Sequence, residues 1–197
     1  MALQTLISAL RPAALYAMVG LGFVIVYLAT GSINFAQGEF VALGGLTTAT
    51  LLSLGMNVWV AIVLTLLGSL ALGWVFDRAL IQPLGKDSMV RTVMISIGAS
   101  VLLRQIALHA FGPDEHTMPT LFARQVLVLG GGGKAALRVE VQTLVLVVAL
   151  LAVLGIFLVV YYRTKFGASM RANEQSPEGA ELVGVRPARV VNRSFML

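Results

Sequence analysis

The sequence predicts an all-α, polytopic membrane protein of about five transmembrane helices, with a short cytoplasmic helix and an incomplete sixth span. Three observations predict it. Of the 197 residues, 58% are hydrophobic and only 12% charged, against roughly 45–50% and 25% in a soluble domain. The mean hydropathy is +0.90. The apolar residues also gather into runs near the roughly 20 residues a helix needs to cross a bilayer. A net charge of +5 and a pI near 10.1 also suit nucleic-acid-binding chains. Here, however, the basic residues sit at the ends of apolar runs, so membrane lipid rather than nucleic acid is the expected partner. There is no cysteine, which excludes disulfides, thiol redox chemistry and thiolate metal sites.

The first span is expected over Ala13–Ala29, after Arg11-Pro12, because proline is tolerated in a first helical turn. No basic n-region or polar mature segment marks it as a cleaved signal. The second, Phe40–Leu54, is short unless it shares the membrane with Gly31–Gly38. The third is Val58–Phe76, closed by Asp77-Arg78. The fourth, Thr92–Phe111, is interrupted by Arg104, and the fifth is Val141–Tyr162. After Pro187–Arg193, Ser194-Phe195-Met196-Leu197 reads as the start of a sixth. Small residues at four-residue spacing, Gly45-Ala49-Ser53 and Ser69-Gly73, allow close helix approach. Nine basic residues fall on the side of the C-terminal tail and four on the other, which places the N-terminus outside and the tail in the cytoplasm.

No enzyme motif is present. Gly130-Gly131-Gly132-Gly133-Lys134 is followed by Ala135 and has Val128 at the first glycine position, so it fails the phosphate-loop pattern; it reads as an external loop. His109 and His116 lack a close ligating partner, and no metal or cofactor is expected.

Two segments carry more. Gly31–Glu39 joins two apolar spans and holds Ser32, Asn34, Gln37 and Glu39. It reads either as a polar cytoplasmic turn or as a broken connection beside a translocation path, since non-helical backbone at membrane depth survives only where protein or a wet cavity satisfies it. Arg104, about two turns from the outer end of its span, is explained by snorkelling, with a substrate or partner role as the alternative. In the tail, Ser176-Pro177-Glu178 supplies an N-cap, a first-turn proline and a dipole-favoured acid. Gly184 supplies a left-handed C-cap before Pro187. This encodes a helix over Pro177–Val183 with Ala180, Leu182 and Val183 free to dock on a partner or to lie on the bilayer.

Three motifs in order then mark a family. Ile33-Asn34-Phe35-Ala36-Gln37-Gly38-Glu39 resembles the I-N-F-A-H-G-E signature of LivH-type permeases of branched-chain amino acid ABC transporters, with Gln37 where histidine is common. Phe111-Gly112-Pro113-Asp114 resembles the family's external loop. Glu178-Gly179-Ala180-Glu181-Leu182-Val183-Gly184-Val185 is similar to its cytoplasmic coupling loop. The resemblance implies one permease domain over residues 1–197, C-terminally incomplete relative to the family, in the bacterial inner membrane. It implies a second permease, cytoplasmic ATPase subunits and a periplasmic binding protein as partners. It also implies that Glu178–Gly184 couples to the ATPase, while Asn34, Phe35, Gln37, Gly38 and Glu39 are candidates for the translocation path. The implied cargo is a branched-chain amino acid, with urea or another small solute as the alternative. A stand-alone secondary transporter or channel is the competing class, and a membrane scaffold without transport is a third. A secondary transporter would show paired intramembrane acids or an inverted repeat; only Glu39 and no repeat is visible.

Overall fold

A computed structural model of the chain describes residues 2–84, 89–114, 126–129, 137–182 and 184–196. Among the described residues the architecture is all-α apart from one antiparallel pair of strands. The helices are α1 (Ala2–Thr30), α2 (Gln37–Ser53), α3 (Val58–Phe76), α4 (Gln82–Leu84), α5 (Met89–Phe111), α6 (Val141–Arg163), α7 (Lys165–Gln175), α8 (Pro177–Leu182) and α9 (Pro187–Met196). Among the described residues, four stretches are long and apolar enough to cross a membrane: Leu3–Thr30, Val58–Ile81, Val90–Phe111 and Val141–Arg163. The expected second span is α2, whose 17 residues reach about 25 Å at 1.5 Å per residue, short of the ~30 Å hydrocarbon core.

The boundaries differ from expectation where a local rule yields to continuity. α1 does not start at Pro12 but carries it inside the helix. A proline removes one backbone hydrogen bond, and a membrane helix tolerates it when surroundings satisfy the freed carbonyl. Arg11 pairs with Glu140 just before α6, at 3.1 Å, so α1 and α6 run together from about Arg11 and the earlier turns extend α1 beyond that level. Asp77-Arg78 does not close α3: the path continues as a π-helical turn, Asp77–Ile81, into α4. α2 and α5 each begin three residues earlier than expected.

The large apolar side chains of the long helices point outward. Trp59 and Leu66 on α3 and Val148 and Ile156 on α6 are exposed, as expected of helices solvated by lipid. Inside, packing combines small residues with aliphatic and aromatic side chains. Val26, Ala36, Phe76, Ala99, Leu103 and Phe195 form one cluster, joined by Phe40. A second joins Ile25 and Ala29 of α1 to Met170 of α7 and Val190 of α9. α9 thus returns into the helix layer between α1 and α3. Gly73, at the predicted close-approach position, lies directly under the Phe195 carbonyl, where a Cβ would overlap backbone.

Two features escaped the sequence reading. β1 (Val126–Leu129) and β2 (Leu137–Glu140) pair antiparallel with Val126 opposite Glu140 and Leu129 opposite Leu137; the expected Gly130–Lys134 loop itself lies outside the described residues, as does His116. The other is α7, which turns back on α6 at Thr164, whose hydroxyl accepts from Gly167 N at 3.1 Å.

Candidate functional site

The connection between α1 and α2 begins where Gly31 takes a φ of +67°. There the Thr30 hydroxyl donates to the Val26 carbonyl at 2.9 Å. The backbone then runs without helical structure to Ala36. It is not a solvated turn: Ser32, Asn34 and Ala36 are 3%, 4% and 0% exposed. The Asn34 side-chain Oδ1 accepts from Ala36 N at 3.0 Å, an Asx turn that starts α2. Phe35 N donates to the Ser96 hydroxyl at 3.1 Å, and that hydroxyl itself donates to Val93 O at 2.8 Å. The Asn34 side-chain amide nitrogen is buried with no hydrogen-bond partner.

Depth follows from the partners. Ser96 lies seven residues inside one end of α5 and Arg104 seven residues inside the other, about 10 Å from each terminus. Glu39, in the first turn of α2, binds Arg104: Oε1 accepts from Nε at 3.1 Å and from Nη2 at 2.6 Å. The connection is therefore seated against the middle of α5. This geometry buries Ser32 and Asn34 against the fold while Ile33 and Phe35 stay exposed. It also gives Arg104 a partner where snorkelling was the expected explanation. The sequence held a signal for the pair, one acid and one base inside apolar spans, but separation by 65 residues hid their meeting.

The other candidates of this segment diverge. Gln37 lies against Gly22 of α1, where its amide nitrogen occupies the space a Cβ would take. It lines a cavity of about 350 Å³ with Phe40, Ser69, Ser194 and Phe195. The Phe35 ring is half-exposed. Gly38 faces open space.

The tail helix matches its expected caps. The Ser176 hydroxyl accepts from Gly179 N at 3.0 Å. At the other end Gly184, at φ +84°, donates to Glu181 O at 3.0 Å while Val185 N donates to Ala180 O at 2.9 Å. That pair of bonds is a Schellman motif, which needs a left-handed residue and so favours glycine. α8 covers Pro177–Leu182; Val183 lies outside the described residues. Ala180 does not face a partner as expected but is buried against the fold. Glu181 is exposed and Leu182 is 89% exposed. Beside Gly184, a cleft of about 450 Å³ is lined by Lys165, Arg186, Arg189 and Arg193. Among the described residues no three His, Asp or Glu side chains gather into a metal-binding group.

Several apolar helices long enough to cross a bilayer, joined by an irregular buried connection and followed by a doubly capped helix, define a multi-spanning membrane protein. The comparisons place it more closely. Residues 5–197 match the family described as branched-chain amino acid transport system / permease component, and the chain belongs to that family. Members are transport subunits, not enzymes. The chain is 25% identical to the high-affinity branched-chain amino acid transport system permease protein LivH of Salmonella typhimurium, over 99% of its own length and 66% of the relative's. It is 24% identical to BraD, the corresponding permease protein of Pseudomonas aeruginosa, with the same coverage. It is also 24% identical to the fructose import permease protein FruF of Bifidobacterium longum, over 94% of this chain and 49% of the relative. The chain thus spans just under two thirds of its LivH and BraD relatives. No solved structure matches it.

Proposed function

We propose that this chain is a transmembrane permease subunit of an ATP-driven importer for amino acids, branched-chain ones in particular. In this reading residues 1–197 belong to one permease domain in the bacterial inner membrane, N-terminus outside and α8 in the cytoplasm. The four-cation cleft beside Gly184 supports that polarity, since basic residues concentrate on the cytoplasmic side. A second permease, two ATPase subunits and a periplasmic binding protein complete the importer. ATP is hydrolysed by the partner, and closure of the ATPase moves α8, which shifts the attached helices between outward and inward openings by differential contacts in the two states.

The observation that carries the reading is α8 itself, capped at both ends and presenting Leu182 to solvent on a chain of this family. The test is uptake in vesicles carrying the complete importer. Leucine entry should stop when internal ATP is removed with the proton gradient intact; entry that follows the gradient instead favours a secondary transporter. The likeness to a fructose import permease supports a second cargo reading, a small neutral solute, and competition of leucine uptake by fructose or urea decides between them.

Two substitutions test the assigned roles. Gly184→Val forces a β-branched residue into a left-handed conformation that disfavours L-residues by ~1–2 kcal/mol. ATPase association should weaken by about tenfold, the equivalent of ~1.4 kcal/mol, and unchanged co-purification would count against coupling through α8. Asn34→Leu deletes the acceptor for buried Ala36 N, at a cost of ~1–3 kcal/mol. Transport should fall further than assembly; normal uptake at normal abundance would reduce residues 31–36 to a plain connector.

A further inference from the structure

The ion pair between Glu39 and Arg104 uses only half of each group. Arg104 spends Nε and Nη2 on a single oxygen, Glu39 Oε1. Among the described residues, no partner contacts the Nη1 edge of the guanidinium or the second carboxylate oxygen. The pair is also open on one side: the Arg104 side chain is 67% exposed and that of Glu39 13%. Its surroundings are apolar, with Val101 and Leu108 exposed one helical turn to either side on α5. Hydrocarbon cannot satisfy those unused donors and acceptors, and charges at this depth face a wet cavity or another polar group.

We propose that Glu39 and Arg104 form a recognition point for the two charged ends of a zwitterionic amino acid crossing the membrane. The free guanidinium edge receives the α-carboxylate through charge-assisted N–H donors, the geometry at which arginine excels. The unused Glu39 oxygen accepts from the α-ammonium. Val101 and Leu108 supply an apolar setting for an aliphatic side chain. The inference rests on the amino-acid importer reading above, because a sugar or urea presents no such pair of opposite charges.

The competing role for the pair is a clamp between α2 and α5. Neutral residues of similar size often replace a low-dielectric ion pair without loss of stability, so E39Q/R104M separates the two. The complete importer, carrying this variant, is reconstituted in proteoliposomes with its binding protein, ATPase subunits and second permease. Assembly of the importer should stay at the wild-type level. Leucine uptake should drop about tenfold or more, as expected for losing hydrogen bonds to charged groups. Wild-type leucine uptake by the double variant overturns the recognition role and leaves the importer reading standing. Failure of the unmutated importer to take up any amino acid removes the importer reading and this one with it.

A second measurement holds if the double variant does not assemble. The chain has no cysteine, so Val101→Cys introduces its only thiol. A water-soluble cationic thiol reagent should label it, and leucine with ATP should slow the labelling. A thiol that never reacts lies under lipid or protein, which overturns the proposal.

Discussion

Gly167→Val should abolish recovery of the folded chain. Gly167 lies at the corner where α6 ends and α7 folds back, and a Cβ there would overlap the carbonyl oxygens of Val160 and Tyr161. These are backbone atoms of the last turn of α6, so no rotamer change relieves the clash. Arg171 also donates to the Tyr161 carbonyl. Opening the corner would lift Met170, 0% exposed, from Ile25 and Ala29, and would break the bond from the Asn173 amide to Ala29 O at 2.8 Å. Overpacking costs ~1–3 kcal/mol where side chains can adjust and more where they cannot. The variant is expected to aggregate on extraction in mild detergent. Ala168→Val, at an exposed neighbour, should behave as wild type. A monodisperse Gly167→Val protein with an unchanged thermal midpoint would show that α7 is not fixed through this corner.

What the sequence disclosed, and what it did not, divides along the same physical line. Spans were legible because hydrocarbon imposes a length and a polarity on every crossing; the expected Val58 start of the third span agrees with α3, although the crossing runs on to Ile81. The caps of α8 were legible because Ser176 and Gly184 act within a few residues of themselves. Pro12 misled because a local signal, a helix start, yields when flanking residues on both sides are helical formers. Asp77 misled for a different reason. A charge after an apolar run marks a membrane boundary only if it is solvated, and Asp77 is 0% exposed. The contact of Phe35 N with Ser96 and the pairing of Glu39 with Arg104 join residues 61 and 65 positions apart. Nothing in local pattern encodes such meetings. Each partner was visible alone, as a polar group where polar groups are costly, and their juxtaposition needed the fold.

Asp77→Leu should cost nearly as much as the corner substitution, through α9. The Asp77 carboxylate sits in the π-helical turn, and its Oδ2 accepts from the Gln82 amide at 2.6 Å and from the Asn192 amide at 2.7 Å. Leucine is of similar volume but leaves both half-buried amides without that acceptor. Each hydrogen bond to a charged group contributes ~1.5–3 kcal/mol, so ~3 kcal/mol or more is at stake. Asn192→Leu alone should cost less, because Asp77 keeps Gln82. The double variant should recover part of the loss, with a coupling of ~0.5–3 kcal/mol in a double-mutant cycle read by thermal unfolding in detergent. Strict additivity would mean that α9 is held by its apolar contacts alone, with the Phe195 ring 5.4 Å from that of Phe76 and its carbonyl seated on Gly73. The distinction matters for the proposed coupling. α8 hangs between α7 and α9, and a push on Leu182 can reach the helix layer only if both of its attachments are firm. If the carboxylate is the clasp, Asp77→Asn, which keeps an acceptor but loses the charge, should retain assembly with the ATPase while transport per ATP hydrolysed falls.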